Sequence, residues 1–294
     1  MPELPEVEVL VRHLAPLIQR QTIRKVLVRR AKVLAPTSER RLRRTLTGAA
    51  FTGLSRRGKY LLFTLRKKNQ REPIIVVGHL GMTGRIYLLP KEAPLPRHAA
   101  VVLDLGGNNF VYEDTRYFGR FTLDANGLAK LGPEPLGAEF TVDYLASALK
   151  RSAQSIKIKL LDQTLVAGVG NIYASEALFQ AGISPLAAAK KLTGAQIKRL
   201  HRAVRKVLAD AIRRGSTLPL DFGGASGNRD GLFYFGGQGQ ESEFYQERLM
   251  VYDRAGKPCL RCSTRVSRLV QGARSTFFCP RCQRASTANS LDET

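Results

Sequence analysis

Two Cys-x2-Cys pairs near the C-terminal end of the 294-residue chain constrain its fold more than any other feature. Sixteen residues separate the pairs, enough for a β-hairpin, and this spacing can bring four thiolates around one zinc ion. Four sulfur ligands leave no open position for water, so we expect a structural zinc; the alternative is four unmetallated buried cysteines. The clustering favours a metal site in a reducing compartment over a disulfide framework. The expected ligands are Cys259, Cys262, Cys279 and Cys282.

The chain is strongly basic. It has 47 Lys and Arg against 24 Asp and Glu, a formal net charge of +23, which indicates a polyanionic partner. The longest apolar runs are far too short to span a bilayer, and the acidic start lacks the apolar stretch of a signal peptide. We therefore expect an intracellular nucleic-acid-binding protein without a membrane partner.

Apolar periodicity predicts a β-rich part followed by a helical part. A helical stripe follows Pro5, and from about residue 59 to 124 short β-rich runs predict a β-sandwich. A Gly- and Pro-rich segment at 131–141 predicts an interdomain linker. The basic residues of the last helix, Arg205 among them, are expected to be a solvated face, with DNA contact as the alternative. The expected strands are 60–65, 74–78, 85–89, 99–105, 109–113 and 120–123, and the expected helices are 142–150, 155–163, 171–181 and 196–214.

A glycine-rich segment follows the last predicted helix. Residues 221–239 include four aromatic residues, which a plain linker does not need. We interpret the segment as a loop that becomes ordered over a ligand, and the alternative is a mobile surface loop. The tail after residue 285 is expected to be frayed.

The Met1-Pro2 start can carry chemistry of its own. Removal of Met1 would leave Pro2 with a secondary amine whose ordinary pKa lies near neutrality, so part of it is nucleophilic at physiological pH. Attack on an aldehyde or acetal carbon would give an iminium, with Glu3 as general acid and base. The alternative is an ordinary chain end.

Three short segments carry residues suited to a distorted DNA duplex. His79–Gly84 places Met82 on a glycine-flanked turn, and Asp114–Gly119 places an arginine and an aromatic on a loop between strands. Such side chains can wedge into a base stack and fill the space left by an extruded nucleotide. Gly168–Glu176 places Asn171 at a helix start, where backbone amides can hold a phosphate. The alternatives are a core Met, a core Phe and an N-cap Asn.

Together these motifs closely resemble the formamidopyrimidine-DNA glycosylases, bacterial enzymes that remove oxidised purines from DNA. The resemblance covers nearly the whole chain, from Pro2 to about Gln283. The motifs that carry it are Pro2–Glu8, Arg57–Tyr60, His79–Gly84, Arg116–Gly119, Leu131–Leu136, Gly168–Glu176 and the four cysteines.

The resemblance implies four catalytic residues. Pro2 would attack C1′ of the damaged nucleoside, and Glu3 would act as general acid and base on the sugar. Lys59 would contact phosphates at the lesion and assist elimination. Arg274, which lies in the zinc finger, would bind phosphates and support the second elimination. The product would be a one-nucleotide gap with a phosphate at both ends, formed by β,δ-elimination.

The resemblance also implies DNA-binding residues. A void-filling triad would consist of Met82, Arg116 and Phe118. Contacts with the DNA backbone are implied for His79, His98, Lys157 and Asn171.

The implied fold is a multidomain α+β architecture with one structural Zn2+. It comprises an N-terminal β-sandwich with flanking helices, a helical helix–two-turn–helix domain and a zinc finger, with DNA in the cleft between domains. The implied partner is double-stranded DNA with oxidised bases or abasic sites, bound by a monomer in the bacterial cytoplasm with the nucleoid. The expected boundaries are 1–131 for the catalytic domain, 132–141 for the linker, 142–256 for the helical domain with its lesion loop, 257–284 for the finger and 285–294 for the tail.

Two departures from the family pattern bear on specificity. Tyr117 stands where the family usually has Lys or Arg, which removes one expected phosphate contact, and the 221–245 stretch is about a dozen residues longer than usual. Two alternatives therefore stay open: an endonuclease VIII-like glycosylase for oxidised pyrimidines, and a non-catalytic DNA- or RNA-binding member. Leu4 and the His-Leu-Gly-Met run argue against the first, and Pro2, Glu3 and Lys59 argue against the second.

Overall fold

The computed structural model describes residues 2–68, 70–215 and 249–284. One unit contains the residues up to Lys130, and a second contains Leu131–Arg213 together with 249–284. The predicted lesion loop at 221–245 and the tail 285–294 lie outside the described residues. In the described ranges, no helix combines the length and the apolar character needed to cross a membrane.

The first unit contains two four-stranded antiparallel sheets. One has the strand order β1-β6-β7-β5, and the other has the order β2-β3-β4-β8. The helices of this unit are α1 (Leu4–Ile18) and α2 (Glu39–Leu46). The strands are β1 (Lys25–Val28), β2 (Ala50–Arg57), β3 (Tyr60–Arg66), β4 (Ile74–His79), β5 (Gly84–Pro90), β6 (Ala99–Asp104), β7 (Asn108–Asp114) and β8 (Arg120–Thr122).

One aromatic core joins the two sheets, so the predicted β-sandwich is confirmed. Phe110 on β7 stacks on Phe51 of β2, with ring centroids 5.9 Å apart, and meets Phe63 of β3 edge-on at 5.5 Å. The apolar face of α1 packs into the same cluster through Val7, Leu10 and other residues of its stripe. Along β3, buried residues alternate with more exposed ones, so Leu61, Phe63 and Leu65 face this core.

β1 and β2 were not predicted from the sequence. Of the four residues of β1, only Val26 is fully buried, and it obtains its partners from β6, for example through the pair Val26–Leu103. β2 is an edge strand with an irregularity between Phe51 and Gly53, and it ends in two arginines. β1 has a weak local pattern because it is short and its partner is distant in sequence. β2 has a weak pattern because Phe51 is its one buried residue.

The second unit is helical, as predicted, and ends in a small hairpin. Gly182 has a φ of +65° just after α5, the conformation expected of a C-terminal glycine cap. α4 is shorter than predicted because Asp162 turns the chain by accepting a hydrogen bond from the Thr164 N–H at 2.9 Å. The elements are α3 (Val142–Lys150), α4 (Ile156–Leu161), α5 (Asn171–Ala181), α6 (Gly194–Arg213), β9 (Ser267–Gln271) and β10 (Arg274–Phe278).

Arg205 of α6 stabilises the Pro-rich segment that precedes the helices. Its Nη1 donates to the carbonyl oxygens of Pro135 and Gly137, both at 2.9 Å. The prediction of a purely solvated basic face was therefore wrong for this residue. A proline-containing segment lies outside regular structure, so its carbonyls need donors from elsewhere. The segment 132–141 consequently packs within the second unit.

Candidate functional site

Pro2 and Glu3 are buried at the start of α1. Glu3 is the N-cap residue and is only 2% exposed. Its side chain accepts a hydrogen bond from the backbone of Glu6, while Glu6 Oε2 accepts one from the Glu3 N–H at 2.8 Å. This reciprocal capping box fixes a buried carboxyl group directly beside the Pro2 position, at the positive end of the helix.

Lys59 lies in the tight turn between β2 and β3. Arg57 pairs with Tyr60 across the turn, and Gly58 has a φ of +57°, which glycine adopts without steric cost. The Lys59 side chain is buried, with 7% of its surface exposed. The hairpin thus fixes one cation close to the end of β4.

His79, the last residue of β4, is a neutral hydrogen-bond donor. Burial, the nearby Lys59 charge and the Arg120 charge lower its pKa to about 4. Its Nδ1 accepts a hydrogen bond from the Gly81 N–H at 3.2 Å, so Nε2 carries the ring hydrogen. Its ring also contacts that of Tyr60, with centroids 4.8 Å apart. A neutral donor of this kind suits a phosphate oxygen without requiring protonation.

This lowered pKa gives a testable pH dependence. Because the pKa of His79 is about 6.5 in the unfolded chain and about 4 in the folded one, the unfolded state takes up the proton first as the pH falls. The stability that comes from keeping His79 neutral in the folded state is intact above about pH 6.5 and is lost as the pH falls from there to about 4. Between about pH 7 and pH 4.5, the unfolding free energy of the wild type should fall by about 2 kcal/mol more than that of His79→Gln. Equal losses in urea titrations of the two proteins would contradict this assignment.

Met82, Arg116 and Phe118 contact one another at the surface. The Arg116 guanidinium lies 4.7 Å from the centre of the Phe118 ring, and its Nη1 lies 3.2 Å from Met82 Sδ. Met82 is 46% exposed and Phe118 is 51% exposed. The alternatives of a core Met and a core Phe are therefore wrong, and the two loops present one apolar and cationic projection.

Asp114, which sequence reasoning did not identify as a site residue, fixes this projection. It is completely buried and accepts hydrogen bonds from Thr83 Oγ1 at 2.6 Å, from the Arg116 N–H at 3.1 Å and from the Gly119 N–H at 2.8 Å. One carboxylate thereby joins the Met82 loop to the Phe118 loop. Its position at the start of the Asp-Thr-Arg-Tyr-Phe-Gly motif was the available signal, since Asp favours such turns.

His98 lies just before β6, near the same loop. Its backbone carbonyl accepts a hydrogen bond from the Asp114 N–H at 3.2 Å, and its Nδ1 is 3.4 Å from the Tyr117 hydroxyl. The ring is thus held beside the loop that carries Arg116 and Phe118.

In the second unit, Lys157 and Asn171 form a buried polar chain. The Lys157 side chain is fully buried, and its Nζ donates to Asn171 Oδ1 and to Ser175 Oγ, both at 2.9 Å. Asn171 Nδ2 in turn donates to the carbonyl oxygen of Ser275 on β10 at 2.9 Å. Gly170 is the N-cap of α5, so the N-cap alternative for Asn171 is wrong. These bonds tie α4, α5 and the hairpin together.

We expect Lys157→Met to destabilise the fold. The variant leaves Asn171 and Ser175 without the charged donor that the buried Lys157 supplies, which should cost about 2–4 kcal/mol in unfolding free energy. Lys159→Met on the same helix is the matched control, because Lys159 forms a local ion pair with Asp162 and should change stability by at most about 1 kcal/mol. Similar urea unfolding midpoints for the two variants would show that the polar chain does not stabilise the fold.

The four cysteines converge as a metal site requires. Their sulfur atoms all lie within 4.8 Å of one another, and three pairs are separated by 3.9, 3.5 and 3.4 Å. Four thiolates at Zn–S distances of about 2.3 Å would be about 3.8 Å apart. None of the four forms a disulfide. The donor set fits a tetrahedral zinc with no place for water, so the metal has a structural role.

Arg274 opens the second strand of the predicted hairpin between the cysteine pairs. β9 and β10 are joined by Gly272 and Ala273, whose φ angles of +54° and +59° are typical of a type I′ turn. The exposed Arg274 follows this turn and precedes Ser275, whose carbonyl accepts the Asn171 bond. The polar chain therefore anchors the strand that carries this arginine.

The buried carboxyl group of Glu176 holds the segment that precedes the finger to α5. Glu176 accepts hydrogen bonds from the backbone N–H groups of Met250, Val251 and Tyr252 at 2.8–2.9 Å. It is 2% exposed. The segment that leads into the cysteine module is thus anchored by α5, and its Val251 packs against the module with Cys259 and Cys279.

The predicted site residues divide between the two units. Those of the first unit are Pro2, Glu3, Lys59, His79, Met82, His98, Arg116 and Phe118. Those of the second unit are Lys157, Asn171, Arg274 and the four cysteines.

Three family models cover most of the chain in consecutive order. The formamidopyrimidine-DNA glycosylase N-terminal domain matches residues 1–121, and the H2TH domain of the same glycosylase matches 131–220. The zinc finger found in FPG and IleRS matches 256–285, which includes all four cysteines.

Full-length relatives give the same result. The formamidopyrimidine-DNA glycosylase of Symbiobacterium thermophilum is 44% identical over 96% of this chain and 89% of its own length. Two structures of Lactococcus lactis Fpg, one with N7-benzyl-Fapy-dG-containing DNA and one with abasic-site DNA, both have TM-scores of 0.84. They are 32% and 31% identical and cover 97% and 96% of this chain, and all of their own chains are covered. The chain belongs to the formamidopyrimidine-DNA glycosylase family.

Proposed function

We propose that this chain initiates base-excision repair by removing oxidised purines from duplex DNA and cleaving the abasic site with Pro2 as nucleophile. The observation that carries the proposal is the buried Pro2–Glu3 pair, fixed at the positive end of α1 in a chain of this family. The presence of Pro2, Glu3 and Lys59 together argues against a non-catalytic member. The proposal requires removal of Met1.

The chemistry begins at the Pro2 nitrogen. The amine attacks C1′, the bond to the damaged base breaks, and the opened sugar becomes an iminium with Pro2. Glu3 supplies and removes protons at the sugar as its ring opens. The iminium acidifies the C2′ hydrogen, so the 3′-phosphate leaves by β-elimination and the 5′-phosphate by δ-elimination. Lys59 stabilises phosphate charge in the first unit, and Arg274 does so from the finger.

The lesion nucleotide must leave the stack before Pro2 can reach its sugar. The exposed projection formed by Met82, Arg116 and Phe118 is suited to fill the vacated space. His79, His98 and Asn171 are suited to backbone phosphates. Lys157 is fully buried and donates to Asn171, so we assign it to positioning Asn171.

The charge of the chain supports DNA as the partner. A net charge of +23 supplies sequence-independent attraction that weakens steeply with salt. Zinc held by the four cysteines would supply no chemistry at the sugar and would stabilise the finger that presents Arg274. We place this monomeric enzyme in the bacterial cytoplasm, on chromosomal DNA, because the substrate is there and the named relatives are bacterial.

Cleavage of three end-labelled duplexes tests this function. One duplex carries 8-oxoguanine opposite cytosine, one carries an oxidised pyrimidine opposite its normal partner, and one carries an abasic site opposite cytosine. We expect cleavage of the 8-oxoguanine and abasic duplexes, leaving phosphate at both ends of the gap. Cleavage restricted to the pyrimidine and abasic duplexes would favour the endonuclease VIII-like alternative. Binding without any cleavage, by protein that lacks Met1, would favour the non-catalytic one.

A further inference from the structure

An exposed arginine in the first unit is held by a phenol instead of a carboxylate. Arg30, two residues after β1, donates from Nε to the Tyr117 hydroxyl at 3.2 Å, and its guanidinium lies 5.5 Å from the centre of the Tyr117 ring. Its Nη1 donates to the carbonyl of Arg29 at 3.2 Å. Within the described ranges, no Asp or Glu forms an ion pair with Arg30. Its full positive charge is therefore held in place without being neutralised.

Tyr117 is itself rigidly placed. Its φ of +53° is uncommon for a residue with a side chain, and the hydrogen bonds of Asp114 to the backbone on either side of it hold the loop in that conformation. It stands between Arg116 and Phe118 in the sequence. The phenol therefore ties Arg30 to the loop that carries two members of the exposed projection.

His98 completes this cluster. Its Nδ1 lies 3.4 Å from the Tyr117 hydroxyl, and that hydroxyl already accepts a bond from Arg30. The Tyr117 hydroxyl hydrogen is thus available to His98 Nδ1, which leaves Nε2 as the ring nitrogen that can donate to an anion. The Tyr117 hydroxyl therefore holds both Arg30 and His98, and each of them has N–H groups that can donate to an anion.

We propose that Arg30 binds a backbone phosphate of the substrate DNA and that Tyr117 positions it there beside His98. This inference rests on the proposed function. A phosphate is the expected ligand because a guanidinium binds phosphate through its N–H donors and the substrate is a polyanion. Tyr117 acts through Arg30, so it is a positioning residue. The family's usual Lys or Arg at position 117 is absent here, and Arg30, which follows β1, supplies the phosphate contact in its place.

The salt dependence of DNA affinity tests the proposal. The wild type must first cleave an abasic duplex; failure there would refute the proposed function. Affinity is then measured between about 50 and 200 mM salt on a duplex with a tetrahydrofuran abasic analogue, for Arg30→Ala, Tyr117→Phe and the double variant. Arg40→Ala is the matched control, because Arg40 is an exposed arginine of α2 whose side chain makes no hydrogen bond among the described residues.

Loss of one phosphate contact should lower the slope of log affinity against log salt by about 0.9, which makes the affinity loss over this range about 3.5-fold smaller than in the wild type. We expect this change for Arg30→Ala, a smaller one for Tyr117→Phe, and no further change when Tyr117→Phe is added to Arg30→Ala. An unchanged slope for Arg30→Ala, or an equal change for Arg40→Ala, would overturn the proposal while leaving the cleavage activity of the wild type established. Additive effects in the double variant would overturn the positioning role of Tyr117.

Discussion

Pro2→Gly is expected to lower excision of 8-oxoguanine by at least about 10²-fold while DNA affinity stays within a few-fold of the wild type. Glycine leaves a primary amine on a flexible residue, whereas proline presents a secondary amine in a fixed ring that forms an iminium carrying its positive charge permanently. The effect should appear in single-turnover rates, which separate chemistry from binding.

Two measurements make the Pro2 result interpretable. Intact mass must show that Met1 is absent from both proteins, because a retained methionine would bury the Pro2 nitrogen in an amide. The melting temperature must stay near that of the wild type, because Pro2 is buried beside the capping box of α1. An unchanged excision rate in such a preparation would refute the assignment of Pro2 as nucleophile.

The second large effect is expected for Cys279→Ser. Cys279 is completely buried, and its sulfur lies 3.5 Å from that of Cys262. Structural zinc binding in small modules contributes on the order of 10 kcal/mol to folding, so loss of one ligand should release the metal and unfold the finger. We expect bound zinc to fall from one per chain to near zero, with DNA affinity at least about tenfold weaker because Arg274 is no longer positioned.

Val270→Ser is the control for the finger. Val270 lies on β9 of the same hairpin and is 66% exposed, so its replacement should retain zinc and DNA binding. Metal content by mass spectrometry and affinity for the abasic analogue are measured on both variants. Full zinc occupancy in Cys279→Ser would contradict the four-cysteine site.

Local sequence patterns predicted the elements that have strong hydrophobic periodicity or a clear end signal such as a capping glycine. The α5 helix was expected at 171–181 and spans Asn171–Ala181, because Gly182 ends it with a left-handed conformation that depends on local chemistry alone. β1 and β2 were missed because their partners, β6 and β3, decide whether they form strands. The partner of β1 is distant along the chain, whereas β2 is joined to β3 by a tight turn but has Phe51 as its one buried residue, so neither strand leaves a clear local pattern.

The residues of the candidate site also divide into those that a local motif predicted and those that it did not. The chemical groups of the site were predicted by motif, since Pro2, Glu3 and the cysteines carry chemistry that few other residues supply. The groups that hold them were not. Asp114 connects two loops far apart in sequence, and Lys157 was assigned to the DNA backbone although its ammonium group is buried against Asn171. Only the packed structure distinguishes a cation that contacts solvent from one that positions another side chain.

Borohydride trapping identifies the nucleophile of the reaction directly. The wild-type protein is incubated with a duplex that contains 8-oxoguanine opposite cytosine, the iminium is reduced, and the crosslinked peptide is mapped by mass spectrometry. We expect a crosslink at the nitrogen of Pro2 in a chain that has lost Met1. A crosslink at Lys59, or cleavage of the duplex without any trapped complex, would contradict it.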